Sequence, residues 1–333
     1  MIFSRTVGIS ASQKGIEQNG DCTSPSVSHD ISGTNDPFPA EHTVTNLIQW
    51  ASKALLASGI DSHRLDAEIL LAHLTGCKRI DLYIQPEKPI EHTIAENYKK
   101  AVRERMRRVP LQYITNHAEF LSLDFYVDKR VLIPRPETEL LVEAVIEKSR
   151  ALSQEHEITI VDIGTGSGNI AITLAKNIHN AKIYAIDLSP DALSVAKINA
   201  QKHHILDKIV FLCGDAFKPL EGLGLEGQIH FVISNPPYVS SKEFDTLQEE
   251  IRHFEPYTAL ISGEDGLLMF RRIIADAGKW LKPCGFIVFE VGEKQARKVA
   301  RLLESTHSFK KAVLIRDYQH IFRIVIAQRE ENA

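Results

Sequence analysis

The chain is 333 residues long, 44% hydrophobic and 25% charged, with a formal net charge of −4. That length suits one large domain plus a smaller one, and the acidic balance excludes an overall basic field for nucleic acid. No apolar stretch is long enough to span a bilayer, no signal-peptide core opens the chain, and the four scattered cysteines (Cys22, Cys77, Cys213, Cys284) read as reduced thiols in a cytoplasmic protein without a metal site.

Residues 1 to about 41 are rich in Ser, Gly, Asn, Asp and Thr without a sustained period, and they are expected to be a disordered leader. From Val44 the pattern becomes helical, with Val44, Leu47, Ile48, Ala51 and Leu55 on one face. A second helix follows Asp61, carries Leu65, Ile69 and Ala72 on its expected apolar face, and ends at Gly76. A third covers about Ile94 to Arg108 and stops before Pro110. Together they predict a small helical domain over 42–109. Its stretch "KKAVRERMRR" is either a solvated face or a contact for an acidic partner or RNA.

Partial alternation of Phe120, Leu123, Phe125 and Val127 predicts a β-hairpin linker over 110–133. Over 134–333 apolar strands alternate with helices. Strands are expected at Ile158–Ile163, Lys182–Asp187, Lys208–Leu212, Phe231–Ser234, Phe286–Val291, Ala312–Arg316 and Ile321–Ala327. Helices are expected near 137–150, 169–178, 190–203, 264–280 and 294–305. This alternation predicts an α/β fold: a doubly wound, seven-stranded, mostly parallel Rossmann-like sheet.

The segment "ITIVDIGTGSGN" joins the first sheet strand to its helix. Asp162 precedes Gly164, Thr165, Gly166, Ser167 and Gly168, a G-x-G-x-G turn that lets a ligand approach the backbone and the helix N-terminus. Asp187 ends the next strand, where a carboxylate can accept both hydroxyls of a ribose. Asp215, Ala216 and Phe217 follow the third strand and can hold an adenine edge and face. The spacing departs from the dinucleotide fingerprint, and an acid at the strand end suits a cationic ligand. S-adenosyl-L-methionine, with a sulfonium, an ammonium, a ribose and an adenine, fits this set.

In "VISNPPYVS" two prolines stop the fourth strand abruptly just after Asn235. In this fold class ligands bind at the carboxyl ends of the strands, so Asn235 is expected to face the reactive methyl group. Its side-chain oxygen and the carbonyl of Pro236 suit a planar –NH2 group, with Pro237 and Tyr238 walling the pocket. A glutamine amide or an adenine amine is such a group.

"SNPPY" with "VDIGTGSGN" resembles the amino-methyltransferases. "VLIPRPETELLVE" (Val131 to Glu143) narrows the resemblance to the HemK/PrmC family of release-factor glutamine methyltransferases. "RLDAEILLAH", "PLQYI", "EIRHFEPYTAL", "GEDGL" and "FEVGEKQ" are also similar to that family, and the likeness covers about residues 44 to 328. The resemblance implies an enzyme that methylates the glutamine of a GGQ motif in peptide chain release factors, in the cytoplasm, with no nucleic-acid substrate and no membrane. It also implies that Arg135 lies at the mouth of the active site. The chain departs from the family where Asn116 and Ser122 replace the usual glycine, where Ser262 replaces one of a glycine pair, and where Ala216 replaces a residue that is often aromatic. Two other readings stay open at this point: an adenine N6-methyltransferase acting on DNA or RNA, and a non-enzymatic cofactor-binding adaptor.

Overall fold

The computed structural model describes residues 37–152 and 155–332. The expected leader lies mostly outside the described residues. Its last part does not: the ring of Phe38 packs edge-on against Trp50 at 4.9 Å and lies under the ammonium of Lys99 at 4.6 Å. The packed chain therefore begins before residue 42, because an aromatic side chain in an otherwise polar stretch finds a hydrophobic partner.

Five helices come first: α1 (Val44–Ala57), α2 (His63–Thr75), α3 (Asp81–Ile84), α4 (His92–Met106) and α5 (Leu111–Thr115). The Thr43 side chain caps α1 by accepting from the Asn46 amide, and the five expected apolar residues of α1 are all buried. Gly76 ends α2 in the left-handed conformation at φ 66°. The buried face of α2 differs from the expected one. Of the expected face Ala72 is buried, but Leu65 is exposed and Ile69 half-buried, while Ala67, Leu70 and Leu71 are buried together with Asp66 and Glu68. Apolar periodicity misplaced this face because two acids occupy it. Asp66 accepts from Arg105 Nε at 2.7 Å, and Glu68 accepts from the Tyr83 hydroxyl and from Arg64 Nε. Both acids are thus satisfied where a hydrophobic residue would be expected.

The hairpin pairs β1 (Ala118–Phe120) with β2 (Leu123–Phe125). Its two turn residues, Leu121 and Ser122, have φ of 46° and 60°, and Asn116 at the end of α5 has 52°. Two residues with positive φ between paired strands match the turn that follows strand twist. Asn116 and Ser122 therefore occupy left-handed positions, which explains why glycine suits both.

The large sheet has the order β5-β4-β3-β6-β7-β9-β8, from β3 (Ile158–Ile163), β4 (Ala181–Asp187), β5 (Ile209–Cys213), β6 (Ile229–Ser234), β7 (Leu281–Glu290), β8 (Val313–Arg316) and β9 (Phe322–Gln328). Pairings from β5 through β7 are parallel, and β9 is antiparallel to both neighbours. Helices α6 (Glu137–Ser149), α7 (Asn169–Asn177) and α8 (Pro190–Lys202), with the hairpin, contribute to one apolar core. Helices α11 (Leu268–Trp280) and α12 (Ala296–Ser305) contribute to another, after two short helices, α9 (Glu249–Phe254) and α10 (Tyr257–Leu260). Strands β3 and β6 are buried at every residue, as parallel strands covered on both faces must be. Strand β7 starts five residues earlier than expected, through a bulged entry over 282–285 with Cys284 at φ 63°. Helices α11 and α12 start later than expected, behind Gly266 and Lys294, which both have positive φ.

Sequence order reverses at β3: the chain winds outward to β4 and β5, then crosses back to β6. The carboxyl ends of β3 and β6 are adjacent, and the Ser234 hydroxyl donates to the Ile163 carbonyl at 2.6 Å. That switch point is where such sheets leave a crevice.

Candidate active site

The turn after β3 is built from backbone. Gly164, Gly166 and Gly168 have φ of 78°, 55° and 81°, and a Cβ on Gly164 or Gly166 would meet nothing within 4 Å. Those two positions keep the left-handed turn and leave space beside it for a ligand. The hydroxyls of Thr165 and Ser167 are used within the loop: Thr165 donates to Asp162 at 2.6 Å, and Ser167 pairs with Asn169. Both residues are buried, and the Thr165 amide donates to the Ile186 carbonyl at 3.0 Å, which ties the turn to the end of β4.

Two acids set the electrostatics of this edge. Asp187 accepts from the amides of Gly166 at 2.8 Å and Ser189 at 2.9 Å, so the glycine turn and the end of β4 hold one another in register. Burial raises its carboxyl pKa, opposed by those amides. Asp162 is fully buried, and burial pushes its pKa up to about 7 against the pull of the Thr165 hydroxyl, with the Asp187 charge adding to the rise. Its Oδ1 has no hydrogen bond of good geometry. Two neighbouring acids beside open space above glycines fit a ligand carrying positive charge and hydroxyls.

Beyond β5, Asp215 is ion-paired with Arg272. Ala216 is buried at φ 48°. Phe217 stacks on Trp280 at a centroid distance of 5.8 Å in the core. That stacking covers one face of the Phe217 ring.

The second edge lies at the ends of β6 and β7. Ser234 pairs with Phe289, so the next rung carries Asn235 beside Glu290. The Asn235 Nδ2 donates to Thr138 Oγ1 at 3.2 Å, and the Thr138 hydroxyl donates to Glu290 Oε2 at 2.6 Å. Thr138 and Glu290 are both buried, and burial pushes the Glu290 carboxyl up to about 7, opposed by Thr138 and raised further by Glu137. Arg135, four residues before Glu139 in the same segment, donates to Glu255 Oε1 at 2.6 Å. Glu255 is buried, and burial raises its pKa against the Arg135 charge.

Asn235, Tyr238 and Arg135 line one cavity of about 130 Å³, completed by Leu132 and by apolar residues including Leu247, Ile251 and Leu260. The segment from Ser240 to Ser262 that walls it is closed at its base by the Val239–Ile261 bridge. Tyr238 is clasped from behind. Gln295 Nε2 donates to the Tyr238 carbonyl at 2.8 Å, while Gln295 Oε1 accepts from the Gly292 amide at 3.0 Å. A Cβ on Gly266 would stand 2.2 Å from that same carbonyl. "GEDGL" and "FEVGEKQ" therefore converge on the chain leaving Pro236 and Pro237.

Thr138, Glu255, Glu290, Gln295 and Asn199 carry no role in the sequence reading. Asn199 is fully buried and its Nδ2 donates to the carbonyls of Tyr126 and Ser167, tying the hairpin to the glycine turn. Glu290 had a usable signal: an acid ending the apolar run "FIVFE", the pattern that marks Asp162 and Asp187.

The model of the PrmC N-terminal domain matches residues 46–115, and that of a methyltransferase domain matches 154–306. Over 288 residues the chain is 37% identical to a release factor glutamine methyltransferase of Rhodopirellula baltica, covering 86% of this chain and 96% of that one. Proteins of the same name from Chlorobaculum tepidum and Bacillus subtilis are 38% and 35% identical, over 84% and 87% of this chain and 95% and 99% of theirs. Relatives at this identity over almost their whole length share the fold and both parts of the chain, and the protein belongs to the release factor glutamine methyltransferase family.

Proposed function

We propose that this protein transfers a methyl group from S-adenosyl-L-methionine to the side-chain nitrogen of a glutamine in peptide chain release factors. The observation that carries this reading is Asn235 at the switch point, lining a cavity beside Tyr238 and Arg135 while its Nδ2 is engaged by Thr138. The cofactor, when bound, supplies an electrophilic methyl on a sulfonium. Asp187 would hold its ribose, the turn from Gly164 to Gly168 its close approach, Asp162 its positive field, and Asp215 with Ala216 its base.

An amide nitrogen is a poor nucleophile because its lone pair is delocalised; the same delocalisation gives the peptide bond a rotation barrier of roughly 18–20 kcal/mol. As the glutamine nitrogen takes the methyl it gains positive character. Its N–H bonds to Asn235 Oδ1 and the Pro236 carbonyl then strengthen toward charge-assisted bonds, which stabilises the transition state more than the ground state. Pro236 and Pro237 keep that carbonyl rigid, and Arg135 holds the wall through Glu255. The proton becomes acidic after transfer, so no general base acts before attack.

The helical region, about 42–109, is proposed to dock the body of the release factor. Arg105 and Arg108 both donate to Glu250, which joins this region to the cavity wall. Lys99 is taken up by Phe38 and Glu96, which leaves Lys100, Arg103 and Arg107 as the exposed basic face. Release factors act on ribosomes, so a cytoplasmic location goes with this substrate. The test is transfer of a labelled methyl to an intact release factor beside duplex DNA. Label on the factor, lost when its glutamine is replaced, supports the reading; label on adenine alone overturns it.

A further inference from the structure

Asn235 can serve a substrate –NH2 in only one of its two amide orientations. The oxygen and the –NH2 end of the side chain have nearly the same shape, so packing alone does not choose between them. Hydrogen-bond direction does. The Thr138 hydroxyl has one proton, and its oxygen lies 2.6 Å from Glu290 Oε2 and 3.2 Å from Asn235 Nδ2. An ionised carboxylate only accepts, so the Thr138 proton goes to Glu290. The Thr138 oxygen then has only lone pairs left and takes an N–H from Asn235. We infer that Thr138 and Glu290 are positioning residues that fix the Asn235 amide with its Oδ1 turned to the methyl-accepting nitrogen.

Their placement supports this. Thr138 and Glu290 are 1% and 2% exposed. Burying a carboxylate costs stability, and the Thr138 hydroxyl with the charges of Arg323 and Arg135 does not offset the burial. The arrangement does have a use at Asn235. A hydrogen-bond chain that ends on an anion polarises its members, so the Asn235 oxygen becomes a stronger acceptor as its –NH2 donates. Protonated Glu290 can instead donate to Thr138, which releases the constraint. The charged and titratable groups facing Glu290 are Glu137 and Arg135 at the start of α6, Tyr238 after β6, and Arg323 on β9.

The inference rests on the acceptor role proposed for Asn235, and the experiment separates the two. Thr138→Val, Thr138→Ser and Glu290→Gln are compared with the wild type in cofactor titration, melting temperature, turnover on an intact release factor, and nitrogen-15 NMR of the Asn235 side-chain amide. Thr138→Val is expected to bind cofactor as the wild type does and to lose about 10- to 100-fold in kcat, the scale of a misplaced reacting group. Thr138→Ser restores most of the rate. The wild-type rate rises with pH through the Glu290 ionisation, and Glu290→Gln flattens that rise. The Asn235 amide protons are protected from exchange in the wild type and in Thr138→Ser, and exposed in Thr138→Val. That last readout needs no turnover, so it tests the relay even where release-factor methylation itself fails. Wild-type kcat in Thr138→Val, or an Asn235 amide signal indifferent to the loss of the hydroxyl, overturns the relay.

Discussion

The cofactor edge and the acceptor edge of this sheet lie side by side, on adjacent strand pairs, and are built in different ways. At the ends of β3 and β4 Gly166 meets Asp187 across 21 residues, Thr165 meets Asp162 across three, Ser189 meets Asp187 across two, and Asn199 reaches Ser167 across 32. At the ends of β6 and β7, Thr138 meets Glu290 across 152 residues, Arg135 meets Glu255 across 120, and Gln295 meets Tyr238 across 57. One edge is built mainly from backbone within one strand–helix–strand unit; the other is built from segments more than fifty residues apart. Each edge nonetheless carries one fully buried acid raised to about 7, Asp162 and Glu290.

The glycines give the largest contrast. Gly266→Ala places a Cβ 2.2 Å from the Tyr238 carbonyl and 2.6 Å from Gln295 Nε2, at a φ of 71°. It is expected to cost about 2–5 kcal/mol of stability, from overpacking together with left-handed strain, and to lower turnover with it. Gly166→Ala meets open space and carries only the strain, about 1–2 kcal/mol. Denaturant titration of both variants checks this, and equal losses would show that the two edges are equally crowded.

The paired acids predict a pH effect. A carboxyl whose folded pKa is raised contributes stability that is complete below its unfolded value, near 3.8 for Asp162, and is lost as pH rises through about 7. Between those values the loss is about 1.4 kcal/mol per pH unit for each acid. Asp162→Asn should therefore gain about 2–3 kcal/mol relative to the wild type between pH 5 and pH 7. Glu290→Gln should do the same from the other edge. Denaturant midpoints measured across this range decide it; parallel curves for variant and wild type would remove the raised acid from that edge.

The smallest effect is expected away from both edges. Reversing Lys100, Arg103 and Arg107 should raise KM for an intact release factor several-fold at low salt, and less at high salt, while leaving a short glutamine peptide unaffected. Steady-state kinetics on both substrates tests it. Equal losses on the two would mean that the face supports folding and not docking.

What could be read from the sequence follows the same division. The strand before the glycine turn, the turn and Asp187 announce themselves through alternation, spacing and residue type over about thirty positions. Asn235 does so because two prolines mark the strand end. Neighbours along the chain cannot announce Thr138, Glu255 or Gln295, whose partners lie more than fifty residues away. The acids in α2 were missed for a related reason. Asp66 reads as a polar break in an apolar face until Arg105, 39 residues later, closes on it. Phe217 shows the same limit: the stacking of one face of its ring on Trp280 is invisible to any local pattern.

The separation of the two edges is tested most directly by single-turnover methyl transfer to an intact release factor, run at saturating cofactor and beside equilibrium cofactor titration, for Asn235→Ala and Asp187→Ala. Asn235→Ala is expected to keep its cofactor affinity and lose about 10²- to 10³-fold in rate, the loss typical of removing one acceptor or donor aimed at developing charge. Asp187→Ala is expected to lose about 1.5–3 kcal/mol of cofactor affinity and keep its rate once saturated. If both variants lose rate and affinity together, the two edges act as one unit and the division of labour between them is wrong.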